Sequence, residues 1–155
     1  MHTPVVLRPA TMEDAEAVAD VYLASRHVLV PYAPLAHADA AVRQWIRDHL
    51  IPTGRVVVAS VDDHIVAMLA VSEDEAGKWV DQLYVHPNAV NGGIGTQLLQ
   101  HAQATLGPPI RLYTFQDNVG ARRFYERHGF KPIRYSDGAE NEEHCPDVLY
   151  EWRGE

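Results

Sequence analysis

Residues 83–99 hold the densest chemistry in the chain. The apolar Leu83-Tyr84-Val85 leads through a loop into Val90-Asn91-Gly92-Gly93-Ile94-Gly95-Thr96, and a helical pattern follows. Successive main-chain N–H groups ahead of a helix, added to the positive end of its dipole, suit a phosphate or diphosphate. Gly92, Gly93 and Gly95 put no Cβ in the way of such an anion. The same glycines would also serve a turn that simply lets the helix pack on a sheet. Tyr125 offers a phenol with an ordinary pKa of about 10, protonated and able to donate at neutral pH. Beside Phe124 on an apolar helix face, it also reads as core. Asp81 stands in a strand, where aspartate is disfavoured, and strand alternation predicts that it shares a face with Trp79, Leu83 and Val85. It is a candidate base, or a partner for a neighbouring loop. Asn118, at a helix start, reads as an N-cap that is also placed to orient a ligand.

Other chemistries fit less well. Gly93-Ile94-Gly95 begins like a dinucleotide fingerprint, and Asp117 lies about 20 residues further on, where a ribose-binding acid would stand. However, Leu98 replaces the third glycine, and a long loop follows Val85 where that fingerprint needs a tight turn. A P-loop is excluded because no Gly-Lys-Ser/Thr follows. The nine histidines are scattered without His-x-x-x-His or Cys-x-x-Cys spacing, so no metal is expected. There is no Gly-x-Ser-x-Gly elbow. Thirteen basic against 21 acidic residues give a net charge of −8, which argues against a nucleic-acid partner. Cys145 is the single cysteine, so no internal disulfide forms. No apolar run approaches the roughly 20 residues that span a bilayer. Met1-His2-Thr3-Pro4 lacks a secretory pattern. A cytoplasmic protein away from membranes is expected.

The elements that must position these groups follow from periodicity. A short strand at Val5-Val6-Leu7 precedes a helix capped by Thr11 and Asp14. A loop over 27–38, holding Pro31, Tyr32 and Pro34, leads to a second helix over 39–50. Strands over 56–61, 65–71 and 79–85 form an antiparallel meander. A helix from Ile94 to Leu106, a strand over 110–115 and a helix from Asn118, stopped by Gly129, come next. Strands over 130–135 and 148–152 close the chain around an acidic loop. The fold class is α/β in the mixed sense: one domain with a central sheet of about seven strands and helices on both faces. The one strand-helix-strand crossover is expected to be parallel and right-handed.

These residues together resemble the GNAT superfamily of acetyl-coenzyme A-dependent N-acetyltransferases. Its cofactor motif is Arg/Gln-x-x-Gly-x-Gly/Ala, matched by Gly93-Ile94-Gly95, with Val90 at the Arg/Gln position. Its second signature is matched by Asn118, Ala121, Phe124-Tyr125 and Gly129-Phe130. The resemblance runs from Arg8 to Trp152 and implies that strands four and five splay to admit the pantetheine arm. It implies that the backbone of Leu83 and Val85 binds that arm, and that the amides of Val90, Asn91, Gly92, Gly93, Ile94, Gly95 and Thr96 hold the diphosphate. Asn118 would then orient the arm, a strand-four N–H would meet the oxyanion, and Tyr125 would act as general acid. For the base it leaves Asp81, directly or through water, ahead of His27, His86, Glu142 and Glu143. Acetyl-CoA is the implied co-substrate, and the acceptor is a small-molecule or peptide amine held between the loops over 27–38 and 136–146. A homodimer is implied by the same resemblance. Val90 keeps open a non-catalytic acyl-CoA sensor.

Overall fold

In β3 (His64–Asp74), Ala67 and Leu69 face one side of the sheet while Met68 and Ala70 face the other, and all four are buried. A strand buried on both faces must lie between two helical layers. The computed structural model describes residues 4–29, 36–90 and 92–154, so Asn91, Pro31, Tyr32 and Pro34 lie outside the described residues.

The seven strands form one sheet in the order β1-β2-β3-β4-β5-β7-β6. They are β1 (Val5–Pro9), β2 (Val56–Val61), β3, β4 (Gly77–Val85), β5 (Ile110–Phe115), β6 (Lys131–Ser136) and β7 (Asp147–Trp152). Only β4 and β5 run parallel, as the crossover requires. On one face, α1 (Ala15–Leu29) and α2 (Asp39–Trp45) bury Val18, Val21 and Val42 against Val58 and Met68. On the other, α3 (Ile94–Leu106) buries Leu98, Leu99 and Ala102 against Ala59, Leu69 and Ile110, with Phe124 and Tyr125 of α4 (Val119–Arg127) beside them. Each fully buried leucine contributes about 1.5–3 kcal/mol relative to exposure. No helix among the described residues is long and apolar enough to cross a membrane.

The start of α1 is pinned by charge. Asp14 accepts two hydrogen bonds from Arg8 (2.8 and 2.9 Å) and one from the Thr11 N–H (2.7 Å), completing the capping box. The Arg8 guanidinium holds the Asp14 carboxyl down at about 2.

Three local expectations change. Helix α1 continues to Leu29, so the predicted loop begins later. The second helix turns α-helical only to Trp45, then widens into a five-residue turn over Ile46–Leu50 and ends in a 3-10 turn at Thr53. The wider turn puts Ile46 and Ile51, five positions apart, both in the core. The strands expected over 65–71 and 79–85 instead run to Asp74 and from Gly77, joined by a tight turn in which the Asp74 carboxylate accepts from the N–H groups of Ala76 and Gly77.

Candidate active site

Strands β4 and β5 pair only at Lys78/Ile110 and Trp79/Arg111, then diverge. The consequence for β4 follows from its pairing with β3. The His86 N–H donates to the Val66 carbonyl at 2.7 Å, which marks a hydrogen-bonded pair. Antiparallel ladders alternate, so Leu83 (opposite Leu69) and Val85 (opposite Ala67) turn their main-chain groups away from β3 and toward the gap left by β5. The Val85 carbonyl accepts from Ser25 Oγ at 3.1 Å. Three main-chain polar groups of Leu83 and Val85 therefore remain directed into the wedge.

The N-terminus of α3 opens beside it. Gly93 is the N-cap at φ 78, a left-handed conformation that favours glycine, and no side chain caps the helix. The first helical bond runs from the Gln97 N–H to the Gly93 carbonyl. The N–H groups of Ile94, Gly95 and Thr96 precede it and so lack intrahelical acceptors. At Gly95, a Cβ would stand 3.4 Å from Phe124 and 3.6 Å from Val85, so this glycine sets how closely α3 approaches α4 and β4.

A cavity of about 720 Å³ joins the wedge to this turn. Of the predicted coenzyme residues, Leu83, Val85, Val90, Gly93, Ile94, Gly95, Thr96 and Tyr125 line it. Gly92 does not, and Asn91 lies outside the described residues. A narrower cavity of about 130 Å³ between the diverging strands brings Asp81, Leu83, Asn118 and Tyr125 together. Asn118 Oδ1 caps α4 by accepting the Ala121 N–H at 3.2 Å, which leaves its amide nitrogen for the wedge.

Tyr125 lies among aromatic rings, with centroids 5.3 Å from Phe124 and 5.9 Å from Phe130. Burial pushes its phenol up to about 12, so it holds its proton throughout the neutral range. Asp81 departs from the expected alternation. Val71 and Ala70 of β3 pair with Val80 and Gln82, leaving Asp81 as the extra residue of a β-bulge. Val80 and Leu83, three positions apart, consequently enter the same core, so Asp81 does not share a face with Leu83 and Val85. Trp79 is likewise separated from them and stacks on Tyr113. Asp81 is exposed at the bulge, and partial desolvation there raises its carboxyl above the ordinary range; a hydrogen bond with Ser72 opposes the rise, and the charge of Asp74 adds to it.

Sequence reasoning missed Ser25, which fixes Val85, and Arg127, which lines the larger cavity. It also missed a third cavity, of about 380 Å³, walled by Tyr22, Trp45, Gln82, His37 and Glu142. His37 and Glu142 come from the two predicted acceptor loops and meet at 3.1 Å. A signal was present in α1: Tyr22, Ser25, Arg26 and Leu29 share one helical stripe, and buried Ser25 and Arg26 interrupt its apolar character. Arg26 lies over the Phe115 ring, 5.8 Å from its centroid. Of the other base candidates, His86 Nδ1 accepts the Asn88 N–H, and His27 faces Asp39 at 3.7 Å.

A mixed seven-stranded sheet that splays between its two parallel strands, beside a glycine-capped helix, defines a fold class with close solved counterparts. A GNAT-family acetyltransferase from Bacillus cereus superposes with a TM-score of 0.77 at 16% identity, covering 97% of each chain. PaiA N-acetyltransferase from Thermoplasma acidophilum, in complex with coenzyme A, gives 0.75 at 18% identity, covering 97% of this chain and 99% of that one. The family described as acetyltransferase (GNAT) domain matches residues 52–132, and the chain belongs to that family. It is 31% identical over 129 residues to mycothiol acetyltransferase of Sanguibacter keddieii, covering 81% of this chain and 39% of that protein. It is 25% identical over 125 residues to the peptidyl-lysine N-acetyltransferase YiaC of Escherichia coli, covering 81% and 82%. The chain thus spans about two fifths of the first relative and most of the second.

Proposed function

We propose that the protein is an acyltransferase of one domain, acting in the cytoplasm, that moves an acetyl group from acetyl-CoA to a primary amine by direct attack in a ternary complex. The observation that carries this reading is the end of β4–β5 pairing at Trp79/Arg111, immediately beside the uncapped first turn of α3. That turn fits a diphosphate, and the freed groups of Leu83 and Val85 fit the amides of a pantetheine arm. Bound there, acetyl-CoA supplies an activated thioester. Asn118 orients the arm through its free amide nitrogen. Tyr125 holds a proton at the bottom of the wedge. Against a thiol of ordinary pKa about 8.5, a phenol near 12 keeps most of that proton, so it acts by donating a hydrogen bond as the carbon–sulfur bond breaks. Asp81 receives a proton from the attacking amine, directly or through water, and its raised carboxyl makes it a better base. The amine nitrogen bonds to the thioester carbon as the carbon–sulfur bond breaks, the leaving thiolate takes a proton from solvent, and Asp81 passes the amine proton back to solvent; the thiol and the amide are the products, and no metal enters the scheme.

Only the carboxylate form of Asp81 accepts a proton, so kcat/KM should fall as pH drops through its raised pKa, below the titration of the acceptor amine itself. Asp81→Asn is expected to remove that lower limb and to lower kcat/KM about 100-fold at neutral pH. An unchanged pH profile would return Asp81 to a structural role with Ser72.

The 380 Å³ cavity is our acceptor subsite. Gln82 lines it and also the wedge, and its walls combine the edge-packed rings of Tyr22 and Trp45 (6.1 Å) with the Glu142 carboxylate. Aromatic faces next to a carboxylate suit an ammonium on an apolar stem, whether of a small molecule or of a peptide lysine. Trp45→Ala should raise the acceptor KM about 10-fold and leave coenzyme affinity unchanged. An unchanged acceptor KM would place the acceptor elsewhere.

Val90 supports a second reading, an acyl-CoA sensor without turnover, because it puts an apolar side chain where the family motif has Arg or Gln. Release of free thiol with a panel of primary amines tests the two. Turnover with any of them supports the enzyme; acetyl-CoA binding without turnover across the panel supports the sensor.

A further inference from the structure

The 720 Å³ cavity is lined by apolar and uncharged side chains with one exception, Arg127. Arg127 closes α4, two positions after Tyr125 and next to His128. His128 Nε2 lies 3.2 Å from Thr96 Oγ1, in the first turn of α3, so the C-terminal end of α4 abuts the turn whose N–H groups are open. Of the other two α4 arginines, Arg122 is committed to the fold, binding Tyr150 Oη, the Gln116 carbonyl and Tyr135 Oη, and Arg123 is exposed and lines none of the three cavities described above. Arg127 makes no ion pair or side-chain hydrogen bond among the described residues, although it belongs to a chain with an excess of eight acidic charges.

We infer that Arg127 is a phosphate anchor of the coenzyme, supplying from α4 the positive charge that Val90 does not supply from the loop. The inference rests on the coenzyme reading of this cavity. Its physical basis is that main-chain N–H groups present partial charges at one spot, whereas a coenzyme with a diphosphate and a ribose 3′-phosphate carries charge beyond it. A planar guanidinium free of carboxylates can take a phosphate with paired N–H donors. The net acidic surface makes such a local cation matter more, since the long-range field of this chain opposes a polyanion.

The test is calorimetric titration of wild-type, Arg127→Lys, Arg127→Met and Arg127→Glu proteins with coenzyme A and with dephospho-CoA, after thermal melts establish that each is folded. Affinity for coenzyme A is expected to follow charge: Lys within about 3-fold of wild type, Met weaker by about 10-fold and Glu by about 100-fold. If the Met penalty disappears with dephospho-CoA, the partner is the 3′-phosphate; if it persists, the partner is the diphosphate. Equal affinities across the series, or equal losses for Met and Glu, overturn the inference while leaving the coenzyme site intact. Failure of the wild-type protein to bind coenzyme A would instead overturn the reading beneath it.

Discussion

Tyr125→Phe is expected to lower kcat by about 100- to 1,000-fold while coenzyme affinity stays within about 2-fold of wild type. The phenol makes no hydrogen bond to the described protein, and its ring is held by Phe124, Phe130 and Tyr150, contacts that phenylalanine retains. The substitution therefore removes one O–H group facing the wedge and little else. A loss of 100-fold corresponds to about 2.7 kcal/mol of barrier, in the range of one well-placed donor in a water-poor site. Steady-state rates with saturating amine, paired with calorimetry, separate the two quantities. Unimpaired kcat would reduce Tyr125 to a wall of the cavity.

The second large effect is at the anion turn. Thr96→Glu places a carboxylate in the first turn of α3, where it suits the helix dipole and should leave the melting temperature unchanged or slightly higher. For a bound diphosphate the same charge is repulsive. At an effective dielectric of about 20 and a separation of about 6 Å, two like charges repel by about 3 kcal/mol. That is about 100-fold in affinity. Thr96→Gln, similar in size and uncharged, also loses the contact with His128 and serves as the control; it should cost only a few-fold. High salt should narrow the gap between Glu and Gln. A Glu variant that binds as well as the Gln variant would remove the phosphates from this turn.

How much of this could be read beforehand depended on whether the signal was local. Gly93 permits a left-handed cap because no other residue adopts that conformation as cheaply, and Asn118 announces α4 because its side chain satisfies the helix's own N–H. The helix starts at Ile94 and after Asn118 fell where the spacing put them, while the left-handed conformation of Gly93 emerged only in the structure. The splay of strands four and five came from resemblance and from the change of topology between them, and the pairing bears it out. Asp81 shows the opposite case. Period-two alternation assumes an unbroken ladder, and the bulge that displaces Asp81 arises from pairing with Ala70 and Val71 of another strand. No pattern within β4 encodes it. Arg127 and the Tyr22–Trp45 cavity are of the same kind. They are assembled from elements far apart in the chain; the buried Ser25 and Arg26 in the α1 stripe mark a face that is more than core, but no single element shows what it meets.

The most direct measurement is a two-dimensional amide spectrum of the isotopically labelled protein titrated with coenzyme A. Saturable shifts are expected at Leu83, Val85, Ile94, Gly95 and Thr96, with the amides of β1 and β2 unmoved. Saturation with the shifts confined to other surfaces, or no shift at millimolar coenzyme, would contradict this placement.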